Sequence, residues 1–224
     1  MLPQYPGYEE RAGRLPVGID VETLEVEYLE VEREPGLIIG EGGMGRTNAL
    51  CNALKHIRRL AQAAEVYLFD SPKGDMAFAK DWEGVHYISH GGDYGQAFAE
   101  LEAAVEERKK EPGAAGPPLY ILIDVVQGLY EGLEEKGLGK KLAVLEDALA
   151  CGIYLAATSD ANLRAGRCSL FQKLSQVRSG TVVGNVKRQN VFPYTGIREE
   201  NRDVDMGYHF GSGGAQKIRF IQYL

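Results

Sequence analysis

The chain has 224 residues, 44% of them hydrophobic and 25% charged. That is enough for one large α/β domain with a buried core, and it excludes a disordered chain. A formal net charge of −7 excludes an overall field that would draw in nucleic acid or an anionic membrane, so nucleic acid is not an expected partner. Cys51, Cys151 and Cys168 have no C-x-x-C spacing and no even count, which points to free thiols in a reducing compartment rather than a disulfide framework or metal site.

Residues 1–14 are polar, carry Pro3 and Pro6, and read as a lead-in or linker; residues 15–224 read as a single domain. Leu15–Val31 alternates in polarity and predicts two strands joined near Glu22–Thr23, with Glu25, Glu27, Glu30 and Glu32 in solvent-facing slots. Leu37–Gly40 is a short apolar strand. It is followed by a glycine-rich turn and a helix over Gly45–Ala64, with Leu50, Leu54, Ile57 and Ala61 facing the sheet. Val66–Asp70 is a buried strand ending in the turn Ser71-Pro72-Lys73-Gly74.

His86–Ser89 is a weaker strand. His86 and His90 stand four apart outside any helical pattern, so they do not form a metal pair. Asp93 and Gln96 resemble a capping box opening a helix that runs to about Lys110. A Pro/Gly loop over Glu111–Pro118 then leads to LYILIDVV, Leu119–Val126. Its continuous hydrophobicity suits a central parallel strand covered on both faces. A helix over Leu138–Leu149, strands over Ile153–Thr158 and Thr181–Gly184, and a hairpin over Met206–Ile221 complete the pattern. No apolar run reaches the ~18–20 residues of a membrane span, and no signal-peptide pattern opens the chain.

Strand–helix alternation of this kind predicts a three-layer α/β domain with a mostly parallel central sheet and hairpins at both ends. Ligands in such sheets bind at the carboxyl ends of the strands. There the chain reads LIIGEGGMGRTN. Gly40, Gly45 and Thr47 fall at P-loop spacing, G-x-x-x-x-G-K-[ST], with Arg46 in the lysine's place. A glycine turn before a helix aims backbone N–H groups and a positive dipole end at an anion. The candidate nucleotide-binding residues are therefore Gly40, Glu41, Gly42, Gly43, Met44, Gly45, Arg46, Thr47 and Asn48. Thr47 and Asp124, at the end of LYILIDVV, are candidate Mg²⁺ ligands. Asp124 is also the catalytic candidate if the site is active.

Arg46 keeps the positive charge, but as a planar fork on a longer arm it does not replace lysine conservatively. The residue after Asp124, where many such ATPases carry a second acid, is Val125, which neither takes a proton nor orders water. ATP and Mg²⁺ are thus expected cofactors, bound weakly or not at all, with hydrolysis weak or absent.

The segments LPVGID, GLIIGEGGMGRTNAL, LYILIDVV, GIYLAATSDANLRAG, SGTVVGNVKRQNVF and GYHFGSGGAQKIRFI, taken in order, resemble the FtsK/SpoIIIE-like P-loop ATPase family. The likeness is specifically to the C-terminal, third ATPase module of membrane-anchored type VII secretion translocases, and it covers most of residues 15–224. It implies a RecA-like P-loop domain, cut from the cytoplasmic part of a larger membrane-anchored protein. Sister ATPase modules would be partners, as would secreted helical-hairpin (WXG100-type) substrates, and the whole protein would form a ring. Terminal modules of that family are often degenerate and associated with substrate-signal recognition.

Three readings follow: a degenerate module that recognises substrate and controls neighbouring motors, an active motor in which Asp70 or Asp160 replaces the missing acid, and a DNA translocase module. Tyr94, Leu129, Tyr130 and Leu133 are candidates for a substrate groove, and Arg164, Arg167 and Arg178 for arginines reaching a neighbouring module's nucleotide.

Overall fold

The computed structural model describes residues 4–110, 116–163, 168–198 and 203–220. Ten strands form one sheet in the order β2-β1-β10-β9-β8-β3-β7-β6-β4-β5. Its parallel half consists of β3 (Gly36–Gly40), β4 (Glu65–Phe69), β5 (Val85–Ile88), β6 (Leu119–Ile123), β7 (Tyr154–Asp160) and β8 (Gly180–Val183). Apart from the edge strand β5, these strands are buried on both faces, which is why they read as apolar runs and not as alternating ones; in β5 His86 is exposed.

The terminal hairpins are antiparallel: β1 (Arg14–Asp20) with β2 (Val26–Glu30), and β9 (Met206–Gly211) with β10 (Gly214–Phe220). They are not appendages. β9 pairs with β8, and β10 pairs with β1, so both ends of the chain extend the same sheet. The lead-in also packs. Pro6 and Gly13 carbonyls accept from Val26 and Val31 N–H groups (3.0 and 2.8 Å), and Tyr5 and Tyr8 lie against Val26 and Tyr28.

Helix α1 (Arg46–Leu60) covers one face, packing Leu50, Ala53, Leu54 and Ile57 on Ile38, Leu68, Leu122 and Ala156. It ends at Leu60, short of the Ala64 read from periodicity: Ala61 leaves the helical region at φ −137°, ψ 88°, and Arg58 reaches forward to donate to the carbonyls of Gln62 and Ala64. The other face carries α2 (Tyr94–Lys110), α3 (Val126–Glu135), α4 (Leu142–Ala150) and α5 (Ser169–Leu174). Asp93 does cap α2, accepting from the Gln96 N–H at 2.9 Å. The Gln96 side chain donates to Glu100 rather than returning to the cap.

α3 and α5 are absent from the sequence reading. LYILIDVV is strand only to Ile123, and Val126 already opens a helix. Tyr94, Leu129 and Leu133, candidates for an exposed groove, are core residues at 1%, 3% and 0% exposure. They close the layer between α2, α3 and the sheet, and Tyr130 packs half-buried beside them.

Candidate phosphate-binding site

The site assembles from three neighbouring strand ends. β7 lies between β3, which delivers the glycine loop, and β6, which delivers Asp124. Gly40 closes β3 where only a glycine fits, since a Cβ there would come within 2.5 Å of the Val183 carbonyl oxygen. Gly43 and Gly45 hold φ of +79° and +98°, a region that side chains disfavour. Gly45 is the N-cap of α1 and makes no side-chain capping bond, and the first turn of the helix carries no acid. The first-turn N–H groups of α1 are therefore left for an anion from outside.

Of the other loop residues, Gly42 and Gly43 are exposed with open space around them, and Asn48 is exposed. Met44 packs over Gly184. Glu41 leaves the loop sideways, accepting from the Arg188 guanidinium at 2.7 Å.

Thr47 and Asp124 meet as the spacing predicts. The Thr47 hydroxyl lies 3.0 and 3.2 Å from the two carboxylate oxygens of Asp124, which is 1% exposed. A threonine hydroxyl beside a buried carboxylate at the mouth of a phosphate cradle is a donor set of oxygen ligands suited to Mg²⁺. Asp124 also accepts from the Thr158 hydroxyl at 2.9 Å, and that hydroxyl accepts the Val125 N–H at 2.7 Å. Thr158 thereby holds Val125 at φ +58°, ψ +84°, an unusual conformation for a β-branched residue.

Arg46 does not extend into the cradle as a P-loop lysine would. It is 9% exposed, and its guanidinium donates to Asp160 at 2.6 Å. Asp160 is the last residue of β7, two beyond the strand end read from sequence. Its N–H donates to Gln127, whose amide donates to Ser159 at 2.9 Å. Asp70 is engaged as well. It accepts from the N–H groups of Ser71 and Met76 and from the Tyr87 hydroxyl at 2.7 Å, and burial pushes its carboxyl above the usual value. Both acids named as replacements for Val125 thus carry structural bonds.

A cavity of about 500 Å³ opens over the loop, lined by Gly42, Gly43, Gly45, Arg46, Thr47, Val125 and Asp160 on one side. The turn after β4 lines the other, with Ser71, Pro72, Lys73 and Asp75. Sequence reasoning missed Thr158, Ser159, Gln127 and Lys73 as site residues. The signal for the first two was the polar end of an apolar strand, AATSD. Arg178 lies just before β8, at the opposite end of the parallel strands from the loop, and Arg164 and Arg167 fall outside the described residues.

A parallel sheet with a glycine loop leading into a helix, and an acid at the end of a nearby strand facing the loop's threonine, defines the P-loop ATPase fold. No family model matches the sequence, and neither does any curated protein. Solved structures do match. EssC (ATPases 2 and 3) from Geobacillus thermodenitrificans superposes with a TM-score of 0.82 at 22% identity, over 96% of this chain and 42% of that one. Thermomonospora curvata EccC (ATPases 2 and 3), in complex with a signal sequence peptide, gives 0.73 at 18%, over 99% and 43%. The pCW3 conjugation coupling protein TcpA, with ATPγS, gives 0.68 at 17%, over 97% and 68%. The fold is that of these ATPase domains, and the chain spans less than half of the EssC and EccC structures it matches. Among the described residues, no helix is long and apolar enough to cross a membrane.

Proposed function

We propose that this chain is a degenerate P-loop module of a type VII secretion translocase. It would bind Mg-ATP weakly, without productive turnover, and contribute to recognising secreted helical-hairpin substrates and controlling neighbouring motor modules. The observation that carries this reading is the paired alteration of the site. Arg46 is held by Asp160, and the place of the second acid is taken by Val125, locked by Thr158. Removing a positioned catalytic group typically costs ~100-fold or more in rate. The cradle itself is intact: an uncapped helix start, glycines at positive φ, and Thr47 beside Asp124. Those residues would hold the phosphates and Mg²⁺; the metal, when bound, would neutralise phosphate charge.

The likeness to EssC and EccC supports placement in a secretion translocase, and one of those structures carries a signal sequence peptide. Membership of a multi-module, membrane-anchored ring is part of the same proposal. The test is a calorimetric titration of the protein with Mg-ATP and with the C-terminal tail peptide of a WXG100-type protein, alongside a phosphate-release assay. Weak nucleotide binding, peptide binding and background phosphate release are expected. Steady turnover abolished in Asp124→Ala would replace this reading with that of an active motor.

A further inference from the structure

A phosphate loop needs a cation for the outer phosphates, and here the loop's own cation is already paired. Arg46 is nearly buried, and its guanidinium is bonded to the Asp160 carboxylate at 2.6 Å. An incoming phosphate would have to compete with the Asp160 carboxylate, which stands at the end of β7 where the Asp160 backbone N–H is tied to Gln127 at 3.3 Å. Across the cavity stands a second cation. Lys73 lies in the turn Ser71–Gly74, directly after β4, the neighbour of the strand that carries Asp124. It is exposed, lines the same 500 Å³ cavity as Gly42, Gly43, Gly45 and Thr47, and makes no hydrogen bond or ion pair among the described residues.

Its turn is well anchored. The Gly74 N–H donates to the Ser71 carbonyl at 3.0 Å, and Asp70 ties down Ser71 and Met76 on either side. The backbone of this segment is thus fixed while the lysine arm is free to swing. A lysine is a compact charge on a flexible stem and reaches a phosphate from a distance that a fixed guanidinium does not. Asp75 and Asp160, which share the cavity, are the opposing charges.

We infer that Lys73, not Arg46, is the side chain that meets the outer phosphates of a nucleoside triphosphate in this cavity, and that Asp160 keeps Arg46 from that role. The inference rests on the nucleotide-binding part of the proposed function. It gives the site a composite form, in which the glycine loop supplies the N–H cradle and a different strand turn supplies the cation.

The test is titration of the protein with Mg-ATPγS as the probe. Lys73→Gln is expected to bind about ten- to a hundredfold more weakly, the usual range for losing a hydrogen bond to a charged group. Lys73→Arg should recover most of that loss. Lys80→Gln, on the same connection but outside the cavity, should bind like the parent. Asp160→Asn, which releases Arg46, should bind more tightly than the parent, and Lys73→Gln in that background should lose less.

Lys73 is exposed on a turn, so its substitution leaves the core untouched, and a circular dichroism spectrum equal to the parent's confirms this. If Lys73→Gln binds as the parent does while Arg46→Ala abolishes binding, the inference is overturned and the nucleotide site stands. If neither the parent nor Asp160→Asn binds the probe, both are overturned.

Discussion

Which charges are free decides what a glycine loop can do, and here a few residues hold most of them. Thr158 is the hub. Its hydroxyl donates to Asp124 and accepts from Val125, and the residue is fully buried. Thr158→Val keeps the shape but strips one donor from a buried carboxylate and leaves a backbone N–H unpaired. A loss of roughly 2–4 kcal/mol is expected. It should appear as a lower urea midpoint at an unchanged slope, and a midpoint like the parent's would show that water replaces the hydroxyl.

Cys51, on α1 near the same carboxylates, has its thiol pushed up to about 11, chiefly by burial and then by Asp124. Partly buried and almost wholly protonated at pH 8, it should react with iodoacetamide about two orders of magnitude more slowly than an ordinary cysteine. Mass spectrometry over time reads this directly. The departures at Arg46 and Val125 are visible in the sequence, because a motif fixes what belongs there. The Arg46–Asp160 pair is not, since its partners stand 114 residues apart and nothing local to either announces the other.

At the scale of elements, what was legible followed from periodicity; α5, six residues long, is too short to show a helical period, and α3 is interrupted by glycine. The inner parallel strands are covered on both faces, so continuous apolar runs placed them, while the half-exposed edge strand β5 gave the weaker signal. α3 was missed because Gly128 and Gly132 lower helix propensity within ten residues and because the valines after Asp124 prolong a strand-like pattern. The structure gives both glycines a reason. A Cβ on Gly128 would come within 3.1 Å of the Pro72 ring, and one on Gly132 within 2.8 Å of the Tyr94 ring.

Tyr94 has little room to yield, being 1% exposed with its hydroxyl accepting from the Gly91 N–H at 3.1 Å. Gly132→Ala sets a helix-propensity gain of about 1 kcal/mol against overpacking of about 1–3 kcal/mol. A net loss of about 1 kcal/mol is expected, read as a melting temperature lower by roughly 2–4 °C. A higher melting temperature would mean that the Tyr94 ring gives way at little cost.

Over the whole molecule, the antiparallel wing joins the parallel half through β8 and β9, and that junction buries a histidine. His209 on β9 is 5% exposed, with Nδ1 3.1 Å from the Thr181 hydroxyl on β8 and Nε2 4.0 Å from Glu27 on β2. Burial lowers its pKa to about 4. His56, buried on α1 with its ring edge-on to that of Tyr8, is lowered to about 4 by the same cause. Both are neutral in the fold, whereas in the unfolded chain each takes a proton near pH 6.5.

Between those values the unfolded state binds more protons, so their contribution is fully present above pH 6.5 and is lost as the pH falls toward 4. Each histidine steepens the decline by up to about 1.4 kcal/mol per pH unit. Glu27 works in the opposite sense just above its ordinary value, because burial and then Asp20 raise its carboxyl and make the folded state the better proton acceptor there. The histidine slope is therefore cleanest near pH 6. Urea unfolding from pH 7.5 to 5.5 should show the midpoint falling. His209→Asn, whose side chain still reaches Thr181 but does not titrate, should reduce that slope by about half. An unchanged slope would place the proton uptake on His56 alone and detach the wing junction from the acid sensitivity of the fold.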